Sequence, residues 1–418
     1  MRKYLKNKRV LRACEIYKML DASAKRKHTS FHTPGHKVGA WDITELSYSD
    51  NLSCPRGCIA QAEKDIARIL GAEKSFILTD GSTSGVFAVL RSAKCAGVKT
   101  VLALPPLHKS VYNACETLGL TLLISDEADG RLLDSADALL CTSPDYYGRI
   151  PDLKKYRSLC DERGKLLLLD GAHGGHLHFD KTLYAGAYAD FWVDGVHKSL
   201  PALTQGGVVS ARTEAGGKLL EKSVDIFRTT SPSYPIMASV EYAVKYPRNE
   251  ALERAVRAFA KSEARVEVHG DWTKLCARFG KSAFRAEKDL ERKGIYPEFC
   301  DGEYIVFYLS PATKGREFAR LKKALRRLFE ICPYEEKRVQ QNPAPRVCTE
   351  GKKIEWVALE ESAGRVCACK CGLFPPCTPL IYEGERIEER QIRLLQSANN
   401  IFGLSEGKIA VVKEDEEA

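Results

Sequence analysis

Short apolar runs that stop abruptly at polar residues or glycine recur through the first half of this chain. The clearest is the row of four leucines at 166–169, which ends at Asp170 and Gly171. Similar runs lie at 75–78, 101–104, 121–125 and 138–141, with helical stretches between them. Apolar runs bounded by turn residues are typical of buried parallel strands. Because strands and helices alternate, the sequence predicts an α/β fold with a mostly parallel, doubly wound sheet.

Two polar residues follow successive runs. Asp170 ends the leucine run, and Lys198 follows the apolar residues at 191–193 and precedes Gly206 and Gly207. Open α/β sheets place their ligand-binding groups at the carboxyl ends of strands. A lysine amine can form a Schiff base with pyridoxal phosphate (PLP), and a carboxylate can keep the pyridine nitrogen protonated so that the ring accepts electrons. The pair indicates PLP chemistry; a surface lysine and a helix-capping aspartate are the alternative.

A turn of small polar residues lies between the apolar run at 75–78 and a helical stretch that begins near residue 86. It contains Gly81, Ser82 and Thr83. The free N–H groups and hydroxyls at such a helix start suit a phosphate dianion, although an ordinary N-cap has the same composition.

A series of short motifs spans residues 30 to 240. The motifs are FHTPGHK at 31–37, DITEL at 42–46, TDGSTSG at 79–85, HKS at 108–110, TSP at 142–144, HKSLPALT at 197–204 and TTSPSY at 229–234. In order and spacing they resemble the bacterial ornithine/lysine/arginine decarboxylase family, PLP enzymes of the aspartate aminotransferase fold.

The resemblance implies a PLP-dependent transferase fold of the aspartate aminotransferase type. We predict an N-terminal helix and active-site loop segment at 1–40, a PLP-binding large domain at 41–245 and a smaller α+β C-terminal domain at 246–418. Within the last, the pattern over 272–292 predicts a long helix.

The resemblance also implies roles for individual residues. Lys198 would hold PLP, Asp170 would pair with the pyridine nitrogen, His108 would lie on the ring, and His173 would stand beside the cofactor or the substrate carboxylate. The remaining predicted cofactor contacts are Gly81, Ser82, Thr83 and His197 at the phosphate, Ala172 under the ring, and Thr230, which would reach a phosphate across a dimer interface. Glu385 is a candidate partner for the distal cation of the substrate, or else a solvated acid.

Three positions depart from the family pattern. Gly171 stands where relatives usually carry an acidic or small polar residue, Gly195 where they carry a phosphate-binding serine, and Cys377 where they carry glycine. These departures bear on cofactor affinity and substrate specificity more than on the lysine chemistry.

The resulting hypothesis is PLP-dependent decarboxylation of arginine, lysine or ornithine by a homodimer with a shared active site. Another PLP reaction, such as transamination, is an alternative because the fold supports many chemistries. A catalytically degenerate member that acts as a binding or regulatory protein is a third.

Charge and hydropathy argue against other partners. The net charge of +9 arises from Lys and Arg mixed with acids along helices, without a nucleic-acid-binding module. No apolar run approaches the roughly 20 residues that span a bilayer. The basic N-terminus is not followed by an apolar segment and cleavage site, so we predict a cytoplasmic protein without nucleic-acid or membrane partners.

The fifteen cysteines, an odd number without a leader sequence, indicate reduced thiols. Cys367, Cys369 and Cys371 alternate as in a strand that presents all three thiols on one face, with Cys377 beyond. A zinc or oxidative role is conceivable, but the spacing is not that of common zinc sites, and we predict no metal there or at His173, His176 and His178.

Overall fold

A seven-stranded sheet forms the centre of the N-terminal part of the molecule. The computed structural model describes residues 5–26, 29–37, 41–332, 334, 352–374, 379–398 and 400–413. The strands of this sheet are β1 (Lys74–Leu78), β2 (Thr100–Leu104), β3 (Thr121–Ile124), β4 (Ala138–Thr142), β5 (Leu166–Gly171), β6 (Phe191–Asp194) and β7 (Gly207–Ala211). Their spatial order is β1-β7-β6-β5-β4-β2-β3. Strands β2 to β6 are parallel, and β7 is antiparallel to both of its neighbours. The predicted α/β class with a mostly parallel sheet is confirmed.

Helices cover both faces of this sheet. They are α1 (Lys8–Leu11), α2 (Glu15–Ala24), α3 (Cys58–Leu70), α4 (Gly81–Cys95), α5 (Lys109–Leu118), α6 (Gly130–Asp134), α7 (Leu153–Arg163), α8 (Val196–Ser199), α9 (Glu214–Phe227) and α10 (Tyr234–Val244), with 3-10 helices at Gly175–Phe179 and Ala185–Ala187. Leu167 and Leu169 pack in one apolar cluster, and Leu168 packs in the cluster on the opposite face. Successive leucines therefore pack on opposite faces of the sheet, which is why the leucine run at 166–169 has no polar residue.

A four-stranded antiparallel sheet follows, in the order β10-β11-β9-β8. Its elements are β8 (Val266–Glu267), β9 (Lys274–Arg278), β10 (Phe299–Cys300) and β11 (Tyr304–Tyr308), with helices α11 (Glu250–Ser262), α12 (Ala283–Glu291) and α13 (Gly315–Ile331). The long helix predicted over 272–292 is wrong. Leu275 and Ala277 alternate into the apolar cluster as strand residues, and Gly280 with a φ of +56° precedes the shorter α12.

The last described part contains two three-stranded sheets. Its elements are β12 (Ile354–Ala358), a 3-10 helix (Leu359–Glu361), β13 (Cys371–Leu373), β14 (Pro379–Ile381), α14 (Glu389–Ser397), β15 (Ile401–Phe402), β16 (Leu404–Ser405) and β17 (Lys408–Val412). These elements enclose an apolar cluster of their own, separate from the cluster under β9 and β11. The domain boundaries after residues 40 and 245 stay predictions, and we propose a further boundary between 332 and 354.

No helix among the described residues combines the length and the apolar content needed to cross a membrane.

Candidate active site

The two residues that defined the sequence prediction lie at the same edge of the large sheet. Asp170 is the penultimate residue of β5, and Lys198 lies in α8, directly after the neighbouring parallel strand β6. Because β5 and β6 run in the same direction, the loops that follow them meet. There the Lys198 Nζ atom lies 3.2 Å from the Nε2 atom of His173.

His173 is buried between aromatic rings. Its ring centre lies 4.8 Å from that of Tyr146 and 5.5 Å from that of Tyr308, both in edge-on geometry. Burial, reinforced by the nearby charges of Lys198 and Lys274, holds the pKa of His173 well below its usual value. The ring is therefore neutral at physiological pH, and its Nε2 atom can accept a hydrogen bond from the Lys198 amine.

His108 caps α5 and faces the same region. Its Nδ1 atom accepts the backbone N–H of Ser110 at 3.1 Å, so the ring proton resides on Nε2. Burial lowers the pKa of His108 to about 4, while the charge of Asp170 acts in the opposite direction. Asp170 itself is buried, and its carboxylate accepts the backbone N–H of Ala172 at 3.0 Å. His108 and Asp170 thus lie in mutual electrostatic reach around Lys198.

The start of α4 offers groups suited to a phosphate. Gly81 has a φ of +85°, which favours glycine, and its N–H donates to the Gln205 carbonyl at 2.9 Å. Asp80 makes no side-chain capping bond to the helix and accepts the Thr229 N–H at 3.0 Å instead. Within the described part of the chain, the hydroxyls of Ser82 and Thr83 form no hydrogen bond. The first turn of α4 is therefore open to an anionic ligand.

The other predicted phosphate contacts surround this helix start. His197 is held by its Nδ1 atom, 2.8 Å from the Gly206 carbonyl oxygen, next to the Gln205 carbonyl that receives the Gly81 N–H. Thr230 is exposed and follows the Thr229 anchor. An exposed side chain at this position is available to a second copy of the chain.

Two of the departures from the family pattern have a steric cause. A Cβ atom at Gly195 would lie 2.4 Å from the Ala172 carbonyl oxygen, and one at Gly171 would lie 2.8 Å from the Val193 carbonyl oxygen. The backbones after β5 and β6 approach too closely for any side chain at either position. Cys377, the third departure, lies outside the described residues.

These groups fit PLP. The aldehyde requires an amine, which Lys198 supplies beside a neutral histidine. The protonated pyridine nitrogen requires an acceptor, which the buried carboxylate supplies, and the phosphate requires donors, which the unpaired hydroxyls at the uncapped helix start supply. The close approach at Gly195 removes one hydroxyl from the phosphate site but leaves Ser82 and Thr83.

A buried ion network behind His173 escaped the sequence analysis. Lys274 in β9 is fully buried, and its Nζ atom lies 2.9 Å from Asp271 and 3.1 Å from the carbonyl oxygen of His173, to which it donates. Asp271 in turn lies 2.8 Å from the Nε2 atom of His176. The only signal in the sequence is the presence of an acid and a lysine beside an apolar run, which is too common to be informative.

Glu298 is a second residue that was missed. It precedes β10, and its side chain is accessible to solvent. Desolvation by the surrounding protein raises the pKa of Glu298, while the charges of Lys198 and Lys274 oppose this increase. The carboxyl of Glu298 therefore lies in electrostatic reach of both lysines. Among the described residues, that carboxyl has neither a hydrogen bond nor an ion pair.

Glu385, the predicted partner of a distal cation, already has a hydrogen-bond partner close by in the chain. Its carboxylate accepts the backbone N–H of Tyr382 at 2.7 Å, within its own turn. Of the three histidines at 173, 176 and 178, His176 contacts Asp271, and His178 contacts the Gly175 carbonyl at 2.7 Å. These two rings therefore have separate partners.

Comparison with known sequences gives one consistent result. Residues 40–122 and 119–270 match the sequence model described as "Orn/Lys/Arg decarboxylase, major domain". The uncharacterized protein YaaO of Bacillus subtilis is 27% identical, over 96% of this chain and 99% of its own. The arginine decarboxylase of Halalkalibacterium halodurans is also 27% identical, over 92% of each chain.

Solved structures share the fold. The constitutive lysine decarboxylase of Escherichia coli superposes with a TM-score of 0.69 at 18% identity, over 96% of this chain and 82% of that one. The lysine decarboxylase of Francisella novicida gives a TM-score of 0.72 at 17% identity, over 96% and 81% of the two chains.

Proposed function

Because the chain belongs to the Orn/Lys/Arg decarboxylase family, as its ordered motifs predicted, we propose that it decarboxylates arginine, lysine or ornithine with PLP. The observation that carries this proposal is the contact between Lys198 and the neutral His173 beside Asp170. A lysine at a strand end is common, but a lysine whose amine is oriented by a buried neutral histidine beside a carboxylate is suited to covalent chemistry with an aldehyde.

PLP, when bound, supplies an electron sink for the electron pair left at Cα when carbon dioxide departs. Lys198 would hold its aldehyde carbon, and Asp170 its protonated pyridine nitrogen. His108 would lie against the ring, with Ala172 on the ring's other side. Gly81, Ser82, Thr83 and His197 would hold the phosphate, together with Thr230 from a second copy, which makes a homodimer with a shared active site part of the proposal.

Lys198 and His173 hold and move the proton in this proposal. A neutral His173 accepts a hydrogen bond from the Lys198 amine and so orients it to bond to carbon. The same pair returns a proton to Cα once carbon dioxide has left. The rings of Tyr146 and Tyr308 pack on His173 and keep water from its faces. Exposure of His173 to water would raise its pKa towards the ordinary histidine value, so a larger fraction of the ring would be protonated and unable to accept a hydrogen bond from Lys198.

The basic side chain of the substrate needs an anion at some distance from Lys198. We assign this role to Glu298, because its carboxyl is unpaired among the described residues and lies in electrostatic reach of the lysine. Glu385 is a weaker candidate, since its carboxylate is engaged by the Tyr382 N–H.

The test compares wild type with Lys198→Ala and with Lys218→Ala, a control in an exposed ion pair. With added PLP, wild type and the control should show the visible absorption band of lysine-bound cofactor, and Lys198→Ala should not. Carbon dioxide release from arginine, lysine or ornithine should fall about a hundredfold or more in Lys198→Ala. Equal release by all three proteins would contradict the proposal, and keto-acid formation without carbon dioxide would indicate transamination instead.

A further inference from the structure

Two cysteines of the C-terminal part lie in direct contact. The chain bends at Ala368 and Cys369, between the bridge that pairs Cys367 with Val411 and the start of β13 at Cys371. A continuous strand with three thiols on one face is therefore not formed. The bend instead brings the sulfur atoms of Cys367 and Cys369 to 3.9 Å from each other.

The two thiols differ in their access to solvent. Cys367 is fully buried, and its thiol donates to the Cys369 carbonyl oxygen at 3.0 Å. Cys369 is partly exposed, and its sulfur also lies 3.6 Å from the Gly403 carbonyl oxygen. The neighbouring Cys367 thiol lowers the pKa of Cys369 to about 7. A dissolved reagent therefore meets Cys369 first, with Cys367 behind it.

We propose that Cys367 and Cys369 form a dithiol site that small-molecule disulfides oxidise to an intramolecular disulfide. The Cys369 thiolate attacks one sulfur of the external disulfide, forms a mixed disulfide with it and releases the other half as a thiolate. Cys367 then loses its proton and attacks the Cys369 sulfur, which releases the second half. In sum, two cysteine thiols are oxidised and one external disulfide is reduced to two thiols.

The geometry suits this reaction. The sulfur atoms must move from 3.9 Å to about 2.05 Å, a change within reach of side-chain rotation at a bend. Cys371 lies in β13 and pairs there with Ile381 of β14, so it is not part of the bend that carries Cys369. A disulfide across a single intervening residue closes a small loop, and such bonds are among those that cellular thiols readily reduce. The site is therefore reversible.

The dithiol also lies next to a contact with α5, one of the helices that cover the seven-stranded sheet. Lys370 follows Cys369 directly, and its Nζ atom lies 4.8 Å above the ring of Tyr112 in α5. The same helix begins at its cap His108. Closing the disulfide changes the backbone that carries Lys370, one helix away from the candidate active site.

The test treats the full-length protein with glutathione disulfide and then blocks the remaining thiols with N-ethylmaleimide. Trypsin cleaves after Arg365 and Lys370, so both thiols fall in the peptide 366–370. In wild type this peptide should lose two hydrogens and carry no maleimide. The exposed Cys54 and Cys95 are internal controls for reagent access.

Single variants assign the two roles. Cys367→Ser should keep glutathione as a stable mixed disulfide on Cys369, whereas Cys369→Ser should leave Cys367 unmodified in the folded protein. Circular dichroism checks that both variants fold. The proposal fails if wild-type 366–370 carries two maleimides under conditions that modify Cys54 and Cys95. It also fails if folded Cys369→Ser acquires glutathione as fast as Cys367→Ser.

Discussion

At the scale of single residues, the acids near the candidate site differ in what their carboxylates already bind. Asp170 accepts the N–H of Ala172 and influences His108, and Glu385 accepts the N–H of Tyr382. Among these three, only the Glu298 carboxylate has no hydrogen bond or ion pair within the described residues. An accessible, unpaired carboxylate near two lysines is the group most available to a cationic substrate.

We predict that Glu298→Gln raises the KM for the basic amino acid roughly tenfold or more, because a charge-assisted hydrogen bond contributes about 1.5 to 3 kcal/mol. The value of kcat should change little, since Glu298 does not contact the reacting atoms. Steady-state kinetics of carbon dioxide release measures both constants. Glu385→Gln is the matched control and should leave KM near the wild-type value; the reverse pattern would move the distal-cation role to Glu385.

Sequence reasoning identified Asp170, Lys198 and His173 because each lies within a few residues of a strand end with a distinctive motif. The structure brings these three together. Sequence reasoning could not identify Lys274 or Glu298, because they lie 76 (274 − 198) or more residues further along the chain than Lys198. Only the packing of β9 and β10 beside the seven-stranded sheet reveals that the Lys274 ammonium and the Glu298 carboxylate face the same site as Lys198.

At the scale of elements, the close approach of the backbones after β5 and β6 shapes the site. The two strands pair in parallel, so Gly171 faces Val193 and Gly195 faces Ala172 across the same gap. Strand β5 was predictable because it is buried on both faces and its first four residues are leucines. Strand β9 was misread as helix because its alternation is short and its lysine points into a buried network rather than into solvent.

We predict that Gly195→Ser, which restores the serine of relatives, weakens PLP binding instead of improving it. The new Cβ atom would lie 2.4 Å from the Ala172 carbonyl oxygen, so the loop that carries Lys198 must shift. Such overpacking typically costs about 1 to 3 kcal/mol of unfolding free energy. Gly315→Ser, which has open space around it, is the control. PLP titration and urea unfolding measure the two effects, and tighter binding in Gly195→Ser would contradict this explanation.

At the scale of the whole molecule, the large sheet and the following four-stranded sheet share one buried network. Lys274 begins β9 of the four-stranded sheet and Asp271 lies just before that strand, whereas His176 and the His173 carbonyl belong to the loop after β5. Burial of an ammonium is costly unless every donor finds a partner, and here Asp271, His173 and the Thr273 hydroxyl supply them. The loop that carries His173 is therefore positioned by residues of both sheets.

We predict that Lys274→Met destabilises the folded protein by about 3 to 5 kcal/mol, because it leaves the carboxylate of Asp271 buried with one fewer partner. Urea unfolding measures the change, and Lys218→Met in an exposed pair should have little effect. If the variant folds at lower temperature, its activity should also fall through displacement of His173. Wild-type stability in Lys274→Met would show that the network does not join the two sheets.

This shared network also bears on how the chain matures on the ribosome. Synthesis proceeds from the N-terminus, so the loop with His173 and His176 emerges nearly a hundred residues before Asp271 and Lys274 (271 − 173). Until those residues appear, His176 lacks its partner Asp271, and the carbonyl oxygen of His173 lacks the Lys274 ammonium that donates to it. The loop after β5 consequently gains its full set of contacts only late in translation, once residues 271 to 274 have been made.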